Sequence, residues 1–192
     1  MANNEFGSDQ TPVGGPAPEG AEGPQAGVIA QYIKDLSFEN PNAPGSLQAL
    51  AGQKPAIDVN VNVGVRKMND EVYEVDLKIS AKAVVPGADG AEGQVAFVVE
   101  LAYGSLYGIR NVPEEALKPF LLVQAPMLMF PFARRIIADA SRDGGFPPLL
   151  LEPINFEALY RAQAAQEAQQ GQAEGDAPAA AGDEEPTPIN LN

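Results

Sequence analysis

The chain of 192 residues carries 26 acidic and 12 basic residues, which gives a formal net charge of −14 at pH 7. It contains neither cysteine nor histidine, which excludes disulfides, thiol nucleophiles, thiolate zinc sites and imidazole bases. So acidic a chain repels phosphate backbones and anionic lipids, so we expect no nucleic-acid partner and no membrane insertion. No apolar run approaches the ~20 residues that a membrane-spanning helix needs.

Composition divides the chain into three parts. Residues 1–26 and 164–192 are small, polar and acidic, and such segments bury too little apolar surface to offset the entropy of ordering. We therefore predict a disordered leader, a folded domain at 27–163 and a disordered tail. The first residues lack the basic cluster and apolar core of a signal peptide, so the expected compartment is the cytosol.

Four segments of the domain, at 31–39, 57–66, 71–83 and 95–103, alternate apolar and polar residues, as half-buried strands do. In the first strand the pattern places Tyr32, Leu36 and Phe38 on one face of the sheet. It places Ile33, Asp35, Ser37 and Glu39 on the other face. Residues 104–108 are interpreted as a strand end turning into a loop.

The second half of the domain is predicted to be helical. Pro113 followed by two glutamates is typical of a helix start, and Asp143-Gly144-Gly145 of a helix end. Pro126 is expected to break or kink this helix and restart it, and Pro131 to kink the second part. Asn155 is predicted to cap a last helix at 156–162. The fold class is therefore α+β, with a four-stranded antiparallel sheet covered on one side by helices.

The motifs of the common enzyme classes are absent from the sequence. There is no Gly-rich phosphate loop and no dinucleotide-binding fingerprint. Ser105 lies in a segment that resembles a nucleophile elbow only superficially, and the chain offers no histidine base. No calcium-loop spacing occurs either. We predict a protein that is not an enzyme, with no cofactor and no metal site.

Two surfaces attract attention instead. Asp35 and Glu39 lie on one side of the first strand, and Glu100 lies beside Val98 on the less apolar side of the fourth, so pairing of these strands would gather three carboxylates. On the residues alone, an ordinary solvated face is the preferred interpretation.

The helical segment is also more apolar than cover for one small sheet requires, which indicates oligomerisation, a peptide groove or both. Its apolar residues are Phe120, Leu121, Leu122, Val123, Met127, Leu128, Met129, Phe130, Phe132, Ile136 and Ile137.

Several segments together resemble the bacterial protein-export chaperone family SecB. They are, in order, YIKDLSFENPNAP at 32–44, DEVYEV at 70–75, FPFAR at 130–134, and FPP at 146–148 followed by PINF at 153–156. The resemblance implies a cytosolic homotetramer, built as a dimer of dimers, that binds unfolded preproteins without ATP. It also implies delivery of these clients to SecA, the ATPase that drives translocation.

The resemblance also implies roles for particular residues. The SecA-docking residues match Asp35, Glu39, Val98 and Glu100, which favours a functional interpretation of the acidic face over a merely solvated one. Subunit contacts in the family lie near the strand that holds Val99, Leu101 and Tyr103. The candidates for an apolar substrate groove are Phe38, Val61, Phe130, Phe132, Phe156 and Tyr160.

Two alternatives remain open at this point. The chain is a SecB-like chaperone dedicated to one client, such as an antitoxin, or a structural assembly protein that uses its apolar surface only to oligomerise. Binding of many preproteins argues against the first alternative. Slowed refolding of a denatured envelope protein argues against the second.

Overall fold

The computed structural model describes residues 23–50, 53–87, 93–173 and 189–190. The predicted leader up to residue 22 and most of the predicted tail lie outside these residues. The described part contains one antiparallel sheet in the order β1-β4-β3-β2-β5. Its strands are β1 (Gln25–Glu39), β2 (Ala56–Lys67), β3 (Val72–Val85), β4 (Gln94–Arg110) and the two-residue β5 (Ile189–Asn190). The four long strands and their antiparallel pairing confirm the predicted fold class.

The fourth strand is longer than the sequence pattern indicated. The prediction that residues 104–108 turn into a loop is wrong, because β4 continues to Arg110. It lies between β1 and β3, and both neighbours pair with it through Gly108. Ser105 and Tyr107 are consequently buried. Two glycines and a serine weaken the local strand signal, but pairing on both sides supplies the backbone hydrogen bonds.

A β-bulge in β1 changes which side chains share a face. Ile33 lies opposite Tyr103 and Asp35 lies opposite Ala102, so Lys34 is an inserted residue. An inserted residue reverses the alternation on one side of it. Tyr32 therefore lies on the face of Asp35, and the prediction that grouped Tyr32 with Leu36 and Phe38 is wrong.

The helices are α1 (Gly45–Ala49), α2 (Glu114–Pro119), α3 (Ala125–Asp143) and α4 (Phe156–Ala173), with a π-helical turn at Phe120–Gln124. Of the break or kink predicted at Pro126, the break does not occur, since the chain stays helical from Glu114 to Asp143. The π-helical turn precedes the proline, and the N–H of Ala125 donates to the carbonyl of Phe120. This widened turn carries the chain through a position where proline supplies no N–H donor.

The last helix begins where it was predicted and ends later. The Asn155 side chain accepts a hydrogen bond of 2.9 Å from the N–H of Ala158, which confirms the predicted cap. The helix then continues to Ala173, past the expected end at 162 and into the segment predicted as tail.

The core lies between one face of the sheet and α3. Its members include alternate residues of β3 and β4 and one stripe of α3, listed as Val75, Leu77, Ile79, Phe97, Val99, Leu101, Met129, Phe130, Ala133 and Ile137. Contrary to the expectation from the sequence, the helix Glu114–Asp143 is long and apolar enough to cross a membrane, by length and composition alone. Because its buried stripe packs on the sheet, we interpret it as the covering helix of the domain. The opposite sheet face carries no helix among the described residues and is called the open face below.

Candidate functional site

Three carboxylates gather on the open face at the paired strands β1 and β4. Glu39 lies opposite Val98, Ser37 opposite Glu100, and Asp35 opposite Ala102. Residues directly opposite one another in an antiparallel pair share a face. The predicted clustering of the carboxylates is thus confirmed, while their binding role stays a prediction. We call Asp35, Glu39, Val98 and Glu100 the acidic patch.

The carboxylates of the acidic patch are available to a partner. Asp35, Glu39 and Glu100 are all exposed. Within the described residues, none of the three takes part in a salt bridge. The Ser80 hydroxyl donates a long hydrogen bond of 3.5 Å to Glu100. A shallow basin of about 450 Å³ beside them is lined by Asp35, Asn60, Asn62, Lys78, Ser80 and Glu100.

A second group of carboxylates on the same face is fully engaged. Glu74 of β3 is 3% exposed and accepts a hydrogen bond of 2.5 Å from the Tyr32 hydroxyl. Arg66 of β2 also bonds Glu74. Lys34 lies 3.3 Å from Glu74 and 2.7 Å from Asp76. We call these five residues the Glu74 clamp.

The Glu74 clamp depends on the absence of a side chain at Gly104. A Cβ atom there would lie 2.8 Å from the Tyr32 ring and 3.1 Å from the Lys34 side chain. Both side chains of β1 therefore cross β4 over Gly104 to reach Glu74 and Asp76 on β3. The clamp thereby connects strands across the width of the sheet.

The electrostatics of the clamp favour the ionised carboxylate. Burial alone would raise the pKa of Glu74, but the hydrogen bonds from Tyr32, Arg66 and Lys34 outweigh it and hold this pKa below its ordinary value of 4.5. The hydrogen bond to Glu74, assisted by burial, raises the pKa of Tyr32 from 10 to about 12. Sequence reasoning missed this cluster because it did not foresee the bulge at Lys34.

An apolar cleft of about 490 Å³ lies beside strand β2. Its walls come from β2, from the segment after α3 and from α4, and its apolar members are Ile57, Val59, Leu149, Leu150, Leu151, Pro153, Ile154, Ala158 and Leu159. We call it the β2 cleft. Leu150 is 63% exposed and Ile57 is 36% exposed, so apolar side chains at the cleft contact solvent. The sequence analysis missed this cleft, although the run Leu149-Leu150-Leu151 after two prolines could have indicated it.

The six predicted groove residues do not form one surface in the single chain. Val61, Phe130 and Phe156 are buried in the core, with the two phenylalanine rings 6.1 Å apart. Phe38 stacks on Phe97 with ring centroids 5.5 Å apart. Phe132 points outward from α3, and Tyr160 is half-buried on α4. Their role in client binding remains a prediction.

The strand residues predicted to serve both the core and subunit contacts are buried in the single chain, and their role in assembly remains a prediction. Val99, Leu101 and Tyr103 are at most 7% exposed. Two other places expose apolar side chains. Edge strand β1 exposes Val28, Ile29, Ile33 and Leu36, and the outer face of α3 exposes Met127, Leu128 and Phe132. The excess of apolar residues predicted for the helix is thus partly at the surface.

The described residues contain no group of three or more acidic side chains placed to hold a metal ion. The candidate site consists of two surfaces, the acidic patch and the β2 cleft. One surface offers unpaired negative charge, and the other offers apolar contact beside a strand edge. Such surfaces bind polypeptides, by electrostatic complementarity and by apolar burial respectively.

Comparison with known proteins identifies the family. The model of the preprotein translocase subunit SecB matches residues 19–167. The chain belongs to the SecB family. A protein-export protein SecB from Rhizorhabdus wittichii is 57% identical over 145 residues, which are 75% of this chain and 82% of that protein. One from Rhodopseudomonas palustris strain BisB5 is 50% identical over 158 residues, which are 82% of this chain and 96% of that protein.

A solved structure shows the same fold at low sequence identity. The SecB-like chaperone of Mycobacterium tuberculosis, in complex with a peptide from an antitoxin, has a TM-score of 0.54 and 15% identity. The match covers 67% of this chain and 90% of that chain. Membership of the SecB family gives this protein the role of a chaperone in preprotein export and not that of an enzyme.

Proposed function

We propose that this SecB protein holds unfolded preproteins in the cytosol without ATP and passes them to the SecA ATPase. In this proposal the β2 cleft receives apolar segments of the client, and the acidic patch receives SecA. One observation supports these two separate binding sites. Exposed apolar side chains and unpaired carboxylates occupy different parts of the sheet. Client and SecA are therefore able to bind at the same time.

Client binding is proposed to rest on burial of apolar surface in the β2 cleft. Removing apolar surface from water contributes roughly 25 cal/mol per Å². Ile57 and Val59 lie on a strand that has a free side along most of its length, within the described residues. An extended segment of client would thus add backbone hydrogen bonds to its side-chain contacts.

The substitution Leu150→Asp tests the cleft. Leu150 is 63% exposed, so the change should leave the fold intact while placing a charge among apolar contacts. We expect about tenfold weaker binding of an unfolded preprotein, which is ~1.4 kcal/mol, measured by fluorescence anisotropy and by the loss of slowed refolding.

A matched control is Met68→Asp. Met68 is 52% exposed in the hairpin between β2 and β3, and it is not among the residues that line the cleft. Client binding by this variant should match that of the unchanged chain. Equal binding by Leu150→Asp and the unchanged chain would place the client elsewhere.

SecA docking is proposed to rest on the acidic patch. Carboxylates without salt-bridge partners attract a basic partner and set its register. We expect Asp35→Lys, Glu39→Lys and Glu100→Lys each to weaken SecA binding at least fivefold in calorimetry.

Binding of SecA by the unchanged chain should also weaken as salt rises, because ions screen exposed charges. The control Asp70→Lys makes the same change of charge in the hairpin, where the Asp70 side chain is 99% exposed.

The proposed homotetramer would cover the exposed apolar residues of β1 and α3. Exposed apolar residues grouped on two faces, such as Ile29 and Phe132, are typical of interfaces. The docking variants lie on the open face and should keep the tetramer in sedimentation velocity. A monomeric unchanged chain would contradict the assembly, and unchanged SecA affinity in all three variants would contradict the docking site.

A further inference from the structure

Strand β2 is an edge strand that the chain itself partly covers. One side of its 12 residues pairs with β3 along the whole strand. On the other side, the described residues provide only β5, which pairs at two positions, Asn60 with Asn190 and Val61 with Ile189. The rest of that side has no strand partner among the described residues.

The sequence around β5 has the composition of a short strand. Residues 187–192 read TPINLN, in which isoleucine and leucine alternate with asparagine. The pairing sets an apolar residue opposite Val61 and a polar residue opposite Asn60, as a shared sheet face requires.

The edge that β5 covers is continuous with the β2 cleft. Val59 and Ile57 of the same strand line the cleft, and Val59 is two residues from Val61, which pairs with β5. An extended client segment that pairs with β2 while it fills the cleft therefore needs backbone positions at or next to those that β5 occupies. Client and β5 cannot both use Asn60 and Val61.

We infer that β5 is an internal competitor for the client-binding edge of β2, displaced when a client segment pairs there. This inference rests on the proposed use of the β2 cleft by clients. A two-residue strand is a weak occupant. Because it is tethered to the same chain, it nonetheless competes at an effective concentration of the order of millimolar.

The consequence is a threshold for client selection. A short or polar segment gains too little from the cleft to displace β5. A longer apolar segment fills the cleft and pairs along several residues of β2, so it displaces β5 from the edge. The competitor thus favours long unfolded apolar clients over short peptides.

Deletion of residues 189–192 tests this inference in the full-length assembled protein. The probe is a fluorescein-labelled, extended peptide of about 15 mainly apolar residues. We expect the deletion to tighten its binding about three- to tenfold in fluorescence anisotropy. The variant Ile189→Pro, which removes a backbone N–H from β5, should act in the same direction. The control Ala179→Pro makes the same kind of change in the tail but outside β5.

Hydrogen exchange supplies a readout that does not depend on a client. Amides of residues 59–62 should lose protection on deletion of 189–192 and regain it when the peptide binds. Unchanged protection at these amides after the deletion would overturn the inference that β5 competes with the client. Unchanged peptide affinity in a deletion variant that still binds through Leu150 would overturn it as well. Failure of every variant to bind the peptide, with tail-dependent protection intact, would instead overturn the proposed function of the cleft.

Discussion

The open face carries two groups of carboxylates that differ in their surroundings. In the Glu74 clamp, Glu74 is 3% exposed and bonds Tyr32, Lys34 and Arg66. In the acidic patch, Glu100 is exposed and accepts only a long hydrogen bond of 3.5 Å from a serine hydroxyl among the contacts described above. Acidic residues on one sheet face thus have two different roles. A neutralised carboxylate stabilises the fold, and one without a cationic partner is available to a partner protein.

The difference originates in one inserted residue and one missing side chain. The bulge at Lys34 turns both Tyr32 and Lys34 onto the open face, and Gly104 lets them cross β4. Lys34 is next to Asp35 in β1, but its ammonium group pairs with Glu74 and Asp76 of β3 instead. Local backbone geometry therefore decides which carboxylates stay unpaired.

Glu74→Gln should cause a larger loss of stability than any other single substitution within either group of carboxylates. The amide keeps the size of the side chain but removes the charge that Lys34 and Arg66 neutralise. Hydrogen bonds to charged groups contribute about 1.5 to 3 kcal/mol, and we expect a loss of about 2 to 3 kcal/mol. Urea unfolding at a fixed protein concentration measures it.

The same substitution in the acidic patch is the matched control. Glu100→Gln should change the free energy of unfolding by less than about 0.5 kcal/mol, as surface changes usually do. It should weaken SecA binding, whereas Glu74→Gln should not do so in a folded sample. Equal destabilisation by both changes would remove the distinction between the two groups.

Gly104→Ala should have a smaller effect of the same kind. The new Cβ meets the Tyr32 ring at 2.8 Å, so Tyr32 and Lys34 must shift away from their carboxylates. Forced repacking of this kind costs about 1 to 3 kcal/mol, and the flexible Lys34 side chain favours the low end. Thermal unfolding at fixed protein concentration provides the measurement.

Gly27→Ala is the control for Gly104→Ala, because nothing lies within 4 Å of a Cβ at Gly27. The double variant Glu74→Gln with Gly104→Ala should lose less than the sum of the single losses, since both changes disrupt the same clamp. Strict additivity would mean that Gly104 acts independently of Glu74.

Alternation of apolar and polar residues was enough to predict the four long strands and the buried face of β3. Val75, Leu77 and Ile79 lie where the pattern places them because β3 is regular and packs on a helix. The acidic patch was predictable in geometry for the same reason, once β1 and β4 are paired. The helix cap at Asn155 was equally local, since one side chain determines it.

The features that the sequence did not predict depend on contacts between distant residues. Nothing near Lys34 in the sequence indicates a bulge, because the inserted residue is defined by its pairing with β4. Gly104 resembled a loop residue until its neighbours on both sides were known. The groove candidates were chosen as apolar and aromatic residues, but packing buried Val61, Phe130 and Phe156 in the core. Burial is a property of the whole fold and not of one segment.

Acidification should remove the contribution of the Glu74 clamp. The pKa of Glu74 is lower in the folded state than its ordinary value of 4.5, so below that pH the unfolded chain binds more protons. Stability from this group is therefore complete above pH 4.5 and is lost as pH falls through the folded pKa. The difference in unfolding free energy between the unchanged chain and Glu74→Gln should shrink on acidification below pH 4.5. A difference that stays constant there would show that the clamp does not depend on the charge of Glu74.

Tyr32 extends this test to alkaline pH, where the expected effect is smallest because Tyr32 has only one partner in the clamp. Its pKa is raised from 10 to about 12 in the folded state, so its contribution is complete below pH 10 and is lost as pH rises through about 12. The difference in unfolding free energy between the unchanged chain and Tyr32→Phe should therefore be constant up to pH 10 and shrink above it. Loss of that difference already near neutral pH would mean that the Tyr32 hydroxyl does not hold its proton against Glu74, and the clamp would then rest on Lys34 and Arg66 alone.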